Sequence, residues 1–273
     1  MPNILHHISG LRRAIGSVRA ANVLMRRLIK RRGAVRVRLL GRRTSIEIDP
    51  LDSDLFVAAQ IFGHREYELS SPISQRLNAK AAEIRRVGRT PVIIDGGANV
   101  GYSALFFADA FPEALVVALE PDPNTFAALQ RNTRGQAQIL PVQAALWSHE
   151  NGVQLQSPGN GSWAHRVDET GRLTPSTTLD RLFAMHPEWA PLVVKLDIEG
   201  AENTVIDASP DVFRSVPCLM IEPHDFMYPG RACLAPLFKV FADRPMDTLL
   251  KGENLILLDP AITSPSRSGE SRD

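Results

Sequence analysis

Apolar positions follow two regimes along the chain. Up to Arg89 they are spaced as in amphipathic elements. Residues 11–32 set Leu11, Ile15, Val18, Val23, Leu24, Leu28 and Ile29 among arginines and predict a loosely periodic helix. Residues 34–48 alternate, with Val35, Val37 and Leu39 before Gly41 and Ile46 and Ile48 after it, which predicts a β-hairpin. Residues 50–62 and 72–87 predict helices, with starts at Asp49-Pro50 and Ser71-Pro72 and a stop at Gly88. From Pro91 short apolar runs alternate with helical stretches. Strands are predicted at 92–94, 115–119, 139–142, 192–196, 218–221 and 255–258, and helices near 100–111, 122–132, 201–208 and 231–242. Apolar strands separated by helices form a parallel sheet covered on both faces. Right-handed crossovers bring the strand ends to one edge, where ligands bind. Residues 147–177, rich in Gly, Ser, Asn and Pro, break the rhythm and read as a loop or hairpin insertion near that edge. The chain therefore divides into a basic helix-and-hairpin arm (1–48), a helical lead-in (49–90), an α/β domain (91–259) and a serine-rich tail (260–273) expected to be disordered.

Charge changes the picture of the first part. Residues 1–43 hold 12 basic residues and no acid, leaving 19 basic against 30 acidic residues in the remainder. Residues 11–43 thus offer a contact to a membrane surface, to nucleic acid, to a second subunit in a homodimer, or to the acidic core itself. Nucleic acid is disfavoured, because a flipped base needs aromatic stacking and aromatics are only 6% of the chain; Trp163 and Tyr228 are the candidates. No apolar run is long enough to span a membrane, and no signal-peptide pattern opens the chain. Cys218 and Cys233 fall in no metal or disulfide spacing. A cytoplasmic protein, free or peripheral to a membrane, is the expectation.

Candidate chemistry gathers at three strand ends. Asp95-Gly96-Gly97-Ala98-Asn99-Val100-Gly101 follows an apolar strand and opens a helix. Its glycines permit a tight turn and close ligand approach. The order does not match the G-x-G-x-x-G of a Rossmann dinucleotide site. Asp95, Gly97, Asn99 and Gly101 instead fit an acid followed by small or left-handed-tolerant residues at alternate positions. Glu120 ends the second strand, where an acid bonds ribose hydroxyls, and Pro121 leads to Asp122, a candidate helix cap. Lys195, Asp197, Glu199 and Glu202 cluster past the fourth strand, beside the first at the switch point. Glu222 and His224 follow the fifth strand. Paired carboxylates, a lysine and a histidine suit deprotonation of an acceptor hydroxyl. Asp197, Glu222 and His224 could also ligate a divalent metal, although the expectation is a site without one.

Together, Asp95-Gly-Gly-Ala-Asn-Val-Gly101, Glu120-Pro-Asp-Pro123, Ser176-Thr-Thr-Leu-Asp180, Lys195-Leu-Asp-Ile-Glu-Gly-Ala-Glu202 and Ile221-Glu-Pro-His224 resemble the FkbM family of methyltransferases. The resemblance covers about residues 90–226; Gly96 and Pro223 depart from the branched residues the family more often has there. It implies a Rossmann-like class I methyltransferase fold with a mostly parallel seven-stranded sheet. It implies O-methylation of a natural-product or sugar hydroxyl with S-adenosyl-L-methionine. It implies cofactor contacts from Asp95, Gly97, Asn99, Gly101 and Glu120, with Pro121 adjoining. The acceptor side is then expected to use Asp197 or His224 as base, Lys195 to stabilise oxygen charge, and Glu199 and Glu222 to orient the acceptor. Two other classes stay open: a nicotinamide-dependent oxidoreductase, and a non-catalytic module acting through the basic arm.

Overall fold

The computed structural model describes residues 4–156, 166–168 and 172–264. The basic segment forms two helices, α1 (Ile4–Ile15) and α2 (Ser17–Leu28), rather than one. The break is Gly16, whose φ of 85° suits glycine alone. The predicted hairpin follows, β1 (Val35–Arg38) pairing antiparallel with β2 (Ser45–Ile48). Then α3 (Asp54–Ala58) runs into a π-helical turn, Ala59–His64, and α4 (Ser71–Arg86) starts at Ser71-Pro72.

This region is no solvated arm. Leu11, Ile15, Ile46 and Ile48 are fully buried, in one cluster with Ile93, Phe107 and Val116 of the α/β core. α1 lies so close to the π-helical turn that a β-carbon on Gly63 would collide with the Gly10 carbonyl. The hairpin is tied down as well. Tyr102 donates to the Glu47 carbonyl at 2.5 Å, and the Asn132 amide bridges Glu47 N at 2.7 Å and the Val100 carbonyl at 2.8 Å. Apolar burial and these hydrogen bonds thus seat α1 and the hairpin on the main body.

The core runs through β3 (Thr90–Gly96), α5 (Tyr102–Ala110), β4 (Leu115–Leu119), α6 (Pro123–Asn132), β5 (Ile139–Val142) and β6 (Ala145–Leu146). Asp122 caps α6 by accepting from Asn124 N and Thr125 N. The irregular stretch 147–177 contains a small antiparallel sheet of β7 (Val153–Gln156), β8 (Arg166–Asp168) and β9 (Arg172–Thr174), and β10 (Ser176–Thr177) pairs with β6. Trp163 lies outside the described residues. Next come α7 (Leu179–Met185), β11 (Trp189–Leu196), α8 (Glu202–Ala208), α9 (Pro210–Ser215), β12 (Cys218–Ile221), α10 (Ala235–Val240), β13 (Asp247–Lys251), β14 (Asn254–Leu258) and α11 (Pro260–Thr263).

Seven strands form one sheet in the order β13-β14-β12-β11-β3-β4-β5. β14 is antiparallel to both neighbours, and the pairs from β12 to β5 are all parallel. This is the Rossmann-like class I methyltransferase arrangement. Alternation sorts the side chains: Ile93, Val116, Ala118 and Met220 pack on the face shared with α1 and α5, whereas Ile94, Val117, Leu119 and Leu219 pack on the other. The chain order reverses between β3 and β11, so their carboxyl ends flank the crevice. Two expectations change. β13, too polar and exposed to read as a strand, closes the sheet edge beside β14. The tail is ordered as far as α11, because Asp259 caps that helix and Ile262 is buried; residues 265–273 lie outside the described set.

Candidate functional site

The loop leaving β3 sets Gly97, Asn99 and Gly101 at φ 73°, 50° and 89°, all left-handed. That explains two glycines and an asparagine at alternate positions. A β-carbon on Gly97 would collide with the Asp197 carbonyl, so the loops after β3 and β11 touch backbone to backbone. Gly101 packs instead on Leu129 and Thr133, away from the crevice.

Glu120, at the end of β4, is buried and braces the glycine loop. Its carboxylate accepts from Asn99 N at 3.0 Å and from Asp122 N at 2.9 Å. Burial pushes its pKa up to about 7, against the pull of those two backbone donors. Asn99 presents a buried Oδ1 that has no hydrogen-bond partner.

Asp95 and Lys195 are fully buried and serve each other. Lys195 Nζ lies 3.1 Å from Asp95 Oδ1 and 3.6 Å from Asp197 Oδ2, and donates to the Gly96 and Gly97 carbonyls at 3.2 and 2.8 Å. Ser103 Oγ donates to Asp95 at 2.6 Å. Burial by itself would lower the lysine pKa, but Asp95 and Asp197 outweigh it and raise it. The ammonium group is thus surrounded by the Gly96 and Gly97 carbonyls and by Asp95, beneath the glycine loop and at the cavity wall. Asp95 sits beneath the cavity surface, not on it.

Past β11, Glu199 takes φ 56°, a strained angle for a residue with a β-carbon. Tyr228 holds this turn, donating to the Glu199 carbonyl at 2.9 Å with its ring against Gly200. Asp197, Glu199, Glu222 and His224 converge here. The His224 ring is buried, with Nδ1 2.8 Å from Glu202 Oε1. Its Nε2 lies 3.9 Å from Asp197, 3.7 Å from Glu199 and 3.9 Å from Glu222. Burial would lower the imidazole pKa. The hydrogen bond and charge of Glu202, followed by Asp197 and Glu199, reverse this and raise it to about 9. Burial first, then Asp197, pushes Glu222 up to about 8, with His224 opposing. This environment favours the imidazolium, so His224 sits among the carboxylates as a counter-charge, and Asp197 is the more exposed of the two groups expected as base. Asp197, Glu199 and His224 offer ligand atoms within 4.8 Å of one another, a set able to hold a divalent metal. Glu202 emerges as the anchor of the histidine, which its place in the first turn of α8 did not reveal.

Both groups open on one cavity of about 600 Å³, lined by Gly97, Asn99, Glu120 and Pro121 and by Lys195, Asp197, Glu199, Glu222 and His224. That volume suits a small-molecule site, roughly 300–1,000 Å³. A further part of the wall, unannounced by any motif, comes from the N-terminal region through Ile4, His7, Phe56, Gln60 and Tyr67. Their arrival depends on the Gly10–Gly63 contact, which no spacing along the chain announces. The donors fit S-adenosyl-L-methionine. The orphaned Asn99 oxygen suits an ammonium group, and the buried Glu120 carboxylate suits a pair of ribose hydroxyls.

Comparison with known proteins agrees. A family model, the methyltransferase FkbM domain, matches residues 95–251. The hexuronic acid methyltransferase AglP of Haloferax volcanii is 31% identical over 136 residues, 49% of this chain and 56% of that protein. Methyltransferase 1 of Beauveria bassiana is 30% identical over 87 residues, 30% of this chain and 34% of that protein. The chain thus spans about half or less of the length of these curated relatives. Among solved structures, a Methanococcus jannaschii fibrillarin pre-rRNA processing protein overlays with TM-score 0.36 at 9% identity, covering 62% of this chain and 65% of that one. Precorrin-6y C5,15-methyltransferase from Geobacter metallireducens gives 0.35 at 13%, covering 67% and 86%. At such scores the strand order, not the overlay, defines the fold. With the family match running from Asp95 to Lys251 over that strand order, the chain belongs to the FkbM family of methyltransferases, whose cofactor S-adenosyl-L-methionine the crevice fits.

Proposed function

We propose that the chain methylates a hydroxyl group of a small molecule, natural product or sugar. The observation that carries this is the convergence of Asp197, Glu199, Glu222 and His224 on the cavity that Glu120 and Asn99 also line. Bound S-adenosyl-L-methionine supplies an electrophilic methyl group. Glu120 would hold its ribose hydroxyls and Asn99 Oδ1 its amino group. Asp197 accepts the acceptor's proton as the new C–O bond forms and the methyl–sulfur bond breaks, leaving the neutral thioether of S-adenosyl-homocysteine. His224 balances the charge of the surrounding carboxylates, while Glu199 and Glu222 hold the acceptor in line. The Asp197 and Glu199 carboxylates disfavour an anionic acceptor group and favour a neutral hydroxyl. Apolar walls from Phe56, Val57 and Ile61 favour an acceptor with an apolar part. That AglP is by name a hexuronic acid methyltransferase supports a sugar among the acceptors.

Release of S-adenosyl-homocysteine, measured across neutral glycosides, hexuronic acids and hydroxylated natural products, tests the reading. Activity on neutral hydroxyls is expected, with Asp197→Asn lowering kcat by about 10² or more and leaving cofactor affinity nearly unchanged. Equal loss of turnover and cofactor affinity would remove Asp197 from the proton-transfer role. Methylation confined to carboxylate groups would overturn the hydroxyl assignment.

A further inference from the structure

Helix α2 carries two apolar faces. One packs inward through Ala20 and Val23. The other faces solvent: Val18, Met25, Leu28 and Ile29 are 85, 61, 82 and 62% exposed. At roughly 100° per residue, Val18, Met25 and Ile29 share one stripe, with Ala21 and Leu28 beside it. Cations precede, interrupt and follow this stripe along the chain. Arg12, Arg13, Arg19, Lys30, Arg31 and Arg32 are all exposed. Among the described residues, none of these six lies within ion-pair distance of a carboxylate, whereas Arg42 does pair with Asp109 at 2.8 Å. Isolated exposed apolar residues are ordinary; a contiguous stripe with cations along the same segment is an interaction surface.

We infer that the α2 face docks on a lipid bilayer bearing acidic headgroups. Such a surface rewards both halves of the observation, with the apolar stripe entering the headgroup boundary and the cations meeting the negative surface. A nucleic acid rewards the cations and leaves the stripe without a partner. A second copy of the chain covers the stripe but sets two cationic faces against each other. The inference is independent of the methyl acceptor. It has one consequence for the cavity, because α1, packed beside α2, contributes Ile4 and His7 to the cavity wall. A docked bilayer therefore rests on the neighbour of a helix that bounds the site.

Co-sedimentation of the full chain with vesicles tests this. Retention is expected on equimolar phosphatidylcholine and phosphatidylglycerol, falling away at high salt and on phosphatidylcholine alone. Each cation near an acidic surface is worth about fivefold in partitioning, so Arg31→Gln with Arg32→Gln lowers retention about 25-fold. Met25→Ser with Leu28→Ser, also at exposed positions, lowers it while the circular dichroism and melting temperature stay those of the parent. Equal retention on neutral vesicles, or retention untouched by both double variants, would overturn the inference. So would tighter binding to a single-stranded RNA than to the acidic vesicles, or a solution dimer that Met25→Ser with Leu28→Ser dissociates.

Discussion

Glu202→Gln keeps the side-chain volume and removes the charge that anchors His224. In the parent, Glu202 is fully buried and makes the 2.8 Å contact to Nδ1. It is also the largest influence raising the imidazole pKa from 6.5 to about 9, against burial. That rise corresponds to about 3 kcal/mol of preference for the protonated ring in the folded chain. The sign follows from linkage. A base whose folded pKa exceeds its unfolded value stabilises the fold fully below the unfolded value, here near 6.5, and loses that contribution as pH rises through about 9. The parent is therefore expected to melt progressively lower between pH 6.5 and pH 9, by about 2–4 °C for each kcal/mol lost. In Glu202→Gln this slope flattens, and the His224 resonance, assigned by comparison with His224→Asn, titrates at least about one unit lower. Methyl-transfer turnover falls in the same variant, because the carboxylates around the acceptor lose their counter-charge. A parent His224 that titrates near 6.5, or a Glu202→Gln value still near 9, would refute this account of the cluster.

Two further outcomes follow from the geometry. Gly63→Ala drives a β-carbon into the Gly10 carbonyl; overpacking of this kind costs about 1–3 kcal/mol, and protease cleavage within α1 is expected to quicken before the core melts. Unchanged cleavage would mean that α1 is not seated through this contact. Because His224 already supplies a cation to the Asp197–Glu199 pair, treatment with EDTA is expected to leave turnover unchanged; a loss restored by manganese would make Asp197, Glu199 and His224 a ligand set.

The parallel core was legible because its strands are short apolar runs divided by helices, and period and length decide such elements. The glycine loop was legible because Gly97, Asn99 and Gly101 need left-handed angles, which few residue types accept. Identity alone did not assign roles among the charged residues. Lys195 looks like an available cation in the sequence, yet the carbonyls that occupy it belong to Gly96 and Gly97, 99 and 98 positions away. His224 looks like a free base in the sequence, yet its Nδ1 is held by Glu202 on another element. The N-terminal helices read as an arm because residues 1–43 hold 12 basic residues and no acid. The small apolar set of Leu11, Ile15, Ala20 and Val23 that buries them is hard to distinguish from a surface stripe until the partner surface is known. β13 was missed because an edge strand exposed along its length carries little hydrophobic pattern.

The central claim is that Glu120 grips the sugar of S-adenosyl-L-methionine beside the glycine loop. Titration calorimetry of the full chain with this cofactor tests it most directly. Saturable binding is expected, weakened about tenfold or more in Glu120→Ala through the loss of charge-assisted hydrogen bonds. In the parent, affinity falls as pH drops below about 7, where the carboxylate takes up its proton. Equal affinity in the parent and Glu120→Ala, or a nicotinamide dinucleotide that binds in place of S-adenosyl-L-methionine, would contradict it.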